Sequence, residues 1–332
     1  MKAAFIEQPG PPETLQYGDL PAPTPGPGQV LVRIAASAVN PIDTYIRGGM
    51  VAAKLPTPFI PGCDLAGTVA GVGPDATRFR IGDRVWGSNQ GLAGRQGTLA
   101  EFAVVDEHWL YPTPANVADA DAAALALVGI TAHLGLFDRT NLAAGETLFV
   151  NGGTGGVGAA VVQMAKAVGA RVIATVGSAE KAETVRALGA DVVVNYRTDD
   201  VTVGVKTATD GKGVDVWFET LPPTDLDRTV ELMAPRGRIV AMAGRGARPV
   251  FPNGPFYVKG LALYGFAMFN ASPDQQRACA EQMNGWMAAG KLRATIGRTF
   301  PLAEAAAAHR LQEENTLQKA GTLAGKIIVV PG

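Results

Sequence analysis

The sequence predicts an α/β protein in which a doubly wound parallel sheet is inserted into a mostly β domain. Three observations point there. Strand and helix patterns alternate from about residue 147 to residue 266, as parallel βαβ units require. A glycine-rich turn, Asn151-Gly152-Gly153-Thr154-Gly155-Gly156-Val157-Gly158, joins a strand to a helix near the start of that alternation. Before about residue 120 the chain instead shows short strands between Gly and Pro turns, the signature of a β-rich domain with irregular loops.

Taken in order, Pro21–Gly28 is an extended, Pro-rich connector, because proline cannot donate to a ladder. Strands follow at 30–34, 67–73 and 82–86. From Thr147 the expected elements are strand 147–150, helix 157–168, strand 171–176, helix 179–188 and strand 192–194. A weaker helix at 201–208 follows, then strand 214–218, helix 226–233, strand 238–243 and a sixth strand at 261–266. A long helix at 273–289 and a strand at 326–330 return to the first domain. The expected division is 1–122 for the β-rich domain, 123–268 for the inserted sheet and 269–332 for the return.

The 332 residues suit two domains at roughly 100–200 residues each. A hydrophobic share of 47%, a charged share of 18% and a net charge of −1 describe an ordinary folded protein. They exclude a basic nucleic-acid surface. The two cysteines, Cys63 and Cys279, make no disulfide framework, so a reducing, cytoplasmic setting is expected. The first residues lack a signal peptide's apolar run. The apolar stretch Ala122–Ala132 is too short to cross a bilayer.

Within the turn, Gly153-x-Gly155-x-x-Gly158 has a dinucleotide-binding spacing in the strand–turn–helix context that the mechanism needs. The first glycine permits the turn, the second lets backbone approach a pyrophosphate, and the third packs helix on strand. Gly156 and Val157 belong to the same cradle, whose N–H groups face the phosphates. A NAD-binding sheet carries an acid at the end of its second strand, about 20 residues beyond the turn. That count reaches Gly177 and Ser178 here, with no acid before Glu180. The missing carboxylate favours NADPH, with Ser178, Lys181 and Tyr196 on its extra phosphate and Arg197 as a further cation.

These residues carry a family resemblance over nearly the whole chain. Pro25-Gly26-Pro27-Gly28-Gln29-Val30, Val39-Asn40-Pro41-Ile42-Asp43-Thr44-Tyr45, Pro61-Gly62-Cys63-Asp64-Leu65-Ala66-Gly67, Gly82-Asp83-Arg84-Val85, Gly129-Ile130-Thr131-Ala132 and Gly325-Lys326 stand in order with the glycine turn. The sequence resembles the zinc-independent quinone oxidoreductases, the zeta-crystallin group of the medium-chain dehydrogenase/reductase superfamily. The resemblance implies a GroES-like catalytic domain, a Rossmann domain, NADPH, and homodimers or homotetramers built on edge strands, here 261–266. It places Asn40, Asp43 and Tyr45 at the acceptor side. Thr131, Gly244, Phe266, Met268 and Lys326 join the cofactor set. Phe266 and Met268 also fit a subunit contact, and Asp43 fits a turn residue bonding its own backbone. If chemical, Asp43 orients Tyr45 or Arg47, and Tyr45 donates a hydrogen bond to developing charge on the acceptor.

The zinc members of the superfamily need Cys and His ligands. Asn40 stands where the resemblance expects a ligand cysteine, and Cys63-Asp64 stands near the usual His-Glu pair. Without Lewis-acid help, direct reduction of a quinone is expected. The alternatives are an alkenal or enone reductase and a non-enzymatic NADPH-binding protein. Val51 occupies the position of a tyrosine that enoyl reductases use as proton donor, which favours the quinone. Phe251–Tyr257 is expected as a rigid loop over the cleft.

Overall fold

Period-two burial builds the first part of the chain. After an antiparallel pair, β1 (Lys2–Phe5) and β2 (Gln16–Asp19), the long strand β3 (Gln29–Val39) buries Val30, Val32 and Ile34 and leaves Arg33 exposed. Pro41 then opens a short helix, α1 (Pro41–Arg47), at a position where its missing N–H costs nothing. The strands β4 (Asp64–Val72), β5 (Arg84–Gly87), β6 (Phe102–Asp106) and β7 (Leu110–Pro112) follow. Val30, Val32, Leu65, Val69, Val85, Val105 and Leu110 form their common core. Next comes α2 (Asp119–His133), which runs on through a π turn at Leu134–Arg139. Together these make a helix of 21 residues, long and apolar enough to cross a membrane by length and composition, but its apolar window is 78% buried inside the protein. It serves as a core helix.

The structure, a computed structural model, describes residues 1–51 and 54–332. It divides into two units, 1–127 with 272–332, and 128–271. The expected boundaries at 122/123 and 268/269 therefore stand at 127/128 and 271/272, the first of them inside α2.

The second unit contains β8 (Thr147–Asn151), α3 (Gly156–Ala167), β9 (Arg171–Val176), α4 (Ala179–Ala187), β10 (Val192–Asn195) and α5 (Val201–Ala208). It continues with β11 (Val214–Glu219), α6 (Leu226–Leu232), β12 (Met233–Ala241), α7 (Asn253–Val258) and β13 (Ala262–Tyr264). Its six strands lie in the order β10-β9-β8-β11-β12-β13, and every pairing is parallel. This is the doubly wound sheet the alternation predicts. Its order reverses between β8 and β11, and ligands bind outside the strand C-termini at such a switch point. Phe149 and Trp217, on those two strands, stack with ring centroids 3.8 Å apart. Two local expectations change. The segment 251–257 is largely helical, as α7, rather than a loop, and the edge strand β13 is three residues long.

The return segment adds α8 (Pro273–Ala288), β14 (Ile296–Pro301), α9 (Ala305–Thr316) and β15 (Lys326–Val330). It completes a seven-stranded sheet, β14-β15-β3-β4-β5-β7, with β6 also paired to β3. β15 lies antiparallel on β3, bringing Ile327 opposite Val39. That register sets Lys326 beside Asn40.

Candidate active site

In the second unit the glycine turn follows β8 and opens α3. Gly152 takes φ +90°, so the left-handed corner falls there and not at Gly153, where the motif placed it. Gly153 is required by packing: a Cβ would lie 2.7 Å from Val185 and 3.0 Å from Ala174. A Cβ on Gly158 would strike the Gly152 carbonyl, as close helix–strand contact predicts. Gly155 is different. It is exposed, and a Cβ there would meet only the Gly152 oxygen, at 3.5 Å. Gly155 is also the N-cap of α3 and offers no side chain to the first-turn N–H groups. Those donors, with half-buried Gly156 and Val157 among them, suit a phosphate.

A polar network that sequence reasoning missed steadies this turn. Glu219, at the end of β11, pairs in register with Asn151 at the end of β8. It accepts from Asn151 Nδ2 at 2.7 Å, Leu221 N at 2.9 Å and Trp217 Nε1 at 3.3 Å. Burial holds its carboxyl above the usual range, against the pull of these donors. Thr175 donates to Asn151 Oδ1 and accepts from Gly152 N at 2.9 Å. An acid closing a strand was the available signal, but it sits on the fourth strand in chain order, not the second.

The C-terminal end of β9 gathers the phosphate candidates. Ser178 caps α4 and accepts from Lys181 N at 3.2 Å, and Lys181 is half-buried in the first turn. Tyr196 follows β10, 44% exposed. Its hydroxyl lies so close to Gly177 that a Cβ there would collide with it. Arg197 is exposed beside it. Gly244, at φ +75°, lies against Pro222, bringing the ends of β12 and β11 together. Phe266 is half-buried, with the Arg139 guanidinium 5.8 Å from its ring centroid. Met268 and Thr131 are buried, so Met268 does not present the exposed surface that a subunit contact needs.

The first unit holds a different assembly. Asn40, Asp43, Cys63, Asp64 and Lys326 are all buried. Asn40 N donates to Asp43 Oδ2 at 2.7 Å, which is half of a capping box at the start of α1. The Asn40 amide donates to Asp64 Oδ2 at 2.8 Å and to the Ala38 carbonyl at 3.3 Å. Lys326 donates to the Val39 carbonyl at 2.8 Å and to Asn40 Oδ1. Asn40 is thus saturated by protein groups. Lys326, expected in the cofactor set, belongs with this cluster. Burial pushes Asp43 up to about 7, Cys63 pulling it down and Asp64 adding to the rise. Burial likewise raises Asp64, lowers Lys326 and raises the Cys63 thiol.

Asp43 does not orient Arg47, whose guanidinium bonds Glu313 and the Gly10 carbonyl. Tyr45 is half-buried, and the chain turns back so that Met50 N and Val51 N both reach its carbonyl. Val51 packs on Ile6, Ile46 and Phe59.

Residues 26–115 match the alcohol dehydrogenase GroES-like domain and residues 156–285 the zinc-binding dehydrogenase family. The human protein named quinone oxidoreductase is 32% identical over 331 residues, which is 99% of this chain and 98% of that one. The chain belongs to the quinone oxidoreductase family. Other members of this medium-chain dehydrogenase/reductase group are as similar. A 2-haloacrylate reductase from Burkholderia sp. is 32% identical over 93% of this chain and 94% of its own. The structure of Escherichia coli quinone oxidoreductase complexed with NADPH superposes with a TM-score of 0.87 at 27% identity, over all of both chains. The chain is an oxidoreductase of this family. Among the described residues no three His, Cys, Asp or Glu side chains converge to hold a metal, and Lys326 places a cation against Asn40.

Proposed function

We propose that the chain reduces quinones with NADPH, through direct transfer from the nicotinamide and without a metal. The observation that carries this reading is the end of β9. The strand closes on Val176-Gly177-Ser178 with no carboxylate, and Lys181 stands in the first turn behind a serine cap. A carboxylate there would favour the ribose hydroxyl of NADH, whereas a serine, a lysine and the Tyr196 hydroxyl suit a 2′-phosphate. The NADPH-bound relative of similar fold supports it.

When bound, NADPH supplies a hydride; the chain's own residues hold and orient the reactants. In this reading Gly153, Gly155, Gly156, Val157 and Gly158 cradle the pyrophosphate. Thr131, Gly244, Phe266 and Met268 serve the nicotinamide half. Tyr45 donates a hydrogen bond to the acceptor oxygen as charge develops. Asn40 and Asp43, which the protein itself engages, act as positioning residues for the start of α1. The second reading, an alkenal or enone reductase, is favoured by the Burkholderia relative. An apolar Val51 favours the quinone. What supports a homodimer or homotetramer is the edge strand β13, on which Leu263 is exposed, as are Val250, Phe251, Tyr257 and Val258 in the segment before it. Two free, buried thiols suit a reducing cytoplasm.

Initial rates with NADPH and NADH against a quinone panel and an enone panel test the reading. Quinones turn over with NADPH in preference to NADH. Lys181→Ala raises the KM for NADPH about 10–100-fold, the worth of roughly 1.5–3 kcal/mol for a charge-assisted bond, and leaves any NADH rate in place. Equal losses with both cofactors overturn the phosphate assignment, and turnover of enones alone replaces the quinone.

A further inference from the structure

The first unit contains a cavity of about 560 Å³ bounded by β5, β7 and α8. It is lined by Arg78, Phe79, Arg84, Tyr111, Thr113 and Arg277, among others. None of these residues enters the reading above, and the volume falls in the usual range for small-molecule sites.

The lining is unusual in what it leaves unmade. Tyr111 is 2% exposed, yet its hydroxyl has no partner. Thr113 Oγ1 and Arg277 Nε, also buried, have none either. Buried polar atoms are almost always satisfied, so three orphans around one cavity point to a ligand that accepts hydrogen bonds. Arg277 pairs with Asp274 through Nη2 at 2.6 Å, which leaves its buried Nε as a donor still to be met. Arg84 is taken by Asp119 at 2.6 Å and by the Val117 carbonyl, and Arg78 by the Glu107 carbonyl. The charges of Arg78 and Arg277 act on each other and on Tyr111. Burial keeps the Tyr111 phenol protonated, so it is a donor. Asp83 and Glu281 also line the cavity and disfavour a multiply charged guest. The Phe79 ring, with the Arg78 guanidinium 5.3 Å from its centroid, and Pro112 and Ala280 add apolar wall.

We propose that this cavity binds a small organic monocarboxylate with an apolar body. The carboxylate accepts from Arg277 Nε and the Tyr111 and Thr113 hydroxyls, and the body lies on Phe79 and Ala280. The proposal does not depend on the cofactor or the acceptor.

Calorimetric titration of the full chain with benzoate, benzamide and inorganic phosphate tests it. Benzoate binds at one site per chain. Benzamide, the same shape without charge, and phosphate each bind at least tenfold more weakly. Arg277→Gln lowers benzoate affinity at least tenfold and leaves NADPH affinity unchanged; Lys181→Ala leaves benzoate binding unchanged. Should the Arg277 variant fail to fold, Tyr111→Phe keeps the ring against Trp86, 4.9 Å away, and reduces benzoate affinity several-fold. Benzoate that fails to bind, binds no better than benzamide, or is indifferent to both cavity variants overturns the proposal and leaves the cavity to solvent.

Discussion

The two units meet the problem of polar chemistry in opposite ways. At the glycine turn of the second unit the recognition surface is backbone: uncapped N–H groups, an exposed Gly155 and one half-buried lysine. In the first unit two carboxylates, an ammonium, an amide and a thiol are sealed from water and answer one another. A backbone cradle leaves its missing charge to the ligand. A buried ionic cluster must balance itself, and the imbalance appears in the raised carboxyls and the lowered Lys326. The contrast teaches that removing one lysine should have very different consequences in the two places. Lys326→Met removes the cation whose charge acts on Asp64 and Asp43 and the donor to Val39 and Asn40, and should cost about 3–5 kcal/mol, the usual result of taking one charge out of a buried ionic group. Lys181→Ala should change stability by less than about 0.5 kcal/mol. Denaturant midpoints of the two variants measure this, and equal losses would erase the distinction.

The pH dependence sharpens the same comparison. Asp43, whose carboxyl ordinarily titrates near 3.8, is held at about 7 in the folded chain. Folding therefore favours its proton: the associated stability is complete below pH 3.8 and is lost as pH rises through 7. Between pH 5 and 8 this amounts to roughly 3 kcal/mol at 1.36 kcal/mol per unit. Asp43→Asn removes that slope, so the variant compares more favourably with the parent at pH 8 than at pH 5. Urea unfolding at the two values reads the difference, and parallel curves would show that Asp43 does not hold the proton.

Within the cradle, Gly158 and Gly155 separate packing from binding. Gly158→Ala drives a methyl into the Gly152 carbonyl and should cost about 2–3 kcal/mol as an overpacked core position. Gly155→Ala has room and should leave the melting temperature nearly unchanged while weakening NADPH binding. Calorimetry of both, with and without NADPH, decides it; a destabilised Gly155 variant would mean the turn is crowded from within.

What the sequence revealed follows from how local each feature is. The glycine turn and the empty position at Ser178 lie in runs whose spacing is visible along the chain, and the strand–helix alternation is a periodicity. Asn40 and Asp43 are also contiguous, but their partners are not: Lys326 arrives 286 residues later through the β15–β3 register. Nothing near Gly325-Lys326 points along the chain to Asn40; the place of Lys326 in the cofactor set is what the family resemblance implies. Glu219 was hidden because its strand was ended at Phe218. Gly152, not Gly153, carries the corner because φ is set by how β8 meets α3, which the motif does not encode. The strand β14, with four of its six residues exposed, and the alanine-rich α9 show neither clean alternation nor a strong apolar face, so along the chain the return shows little more than a helix and a last strand.

The smallest expected effect lies where burial acts on a base instead of an acid. His309, on α9, is fully buried; neither ring nitrogen has a partner. Burial, with the Arg47 charge adding to it, pushes its pKa from 6.5 to about 3. The sign is opposite to that of Asp43. The folded chain keeps His309 neutral, so its share of stability is complete above pH 6.5 and is lost as pH falls toward 3, because the unfolded chain takes the proton first. At pH 5 the loss is about 2 kcal/mol at 1.36 kcal/mol per unit. A ring with no hydrogen bonds gives nothing up on replacement by an apolar side chain of similar size. His309→Leu should therefore match the parent at pH 8 and exceed it by about 1–2 kcal/mol at pH 5, measured by urea unfolding. A variant that is weaker at both values would show that the imidazole makes a contact worth more than its burial costs.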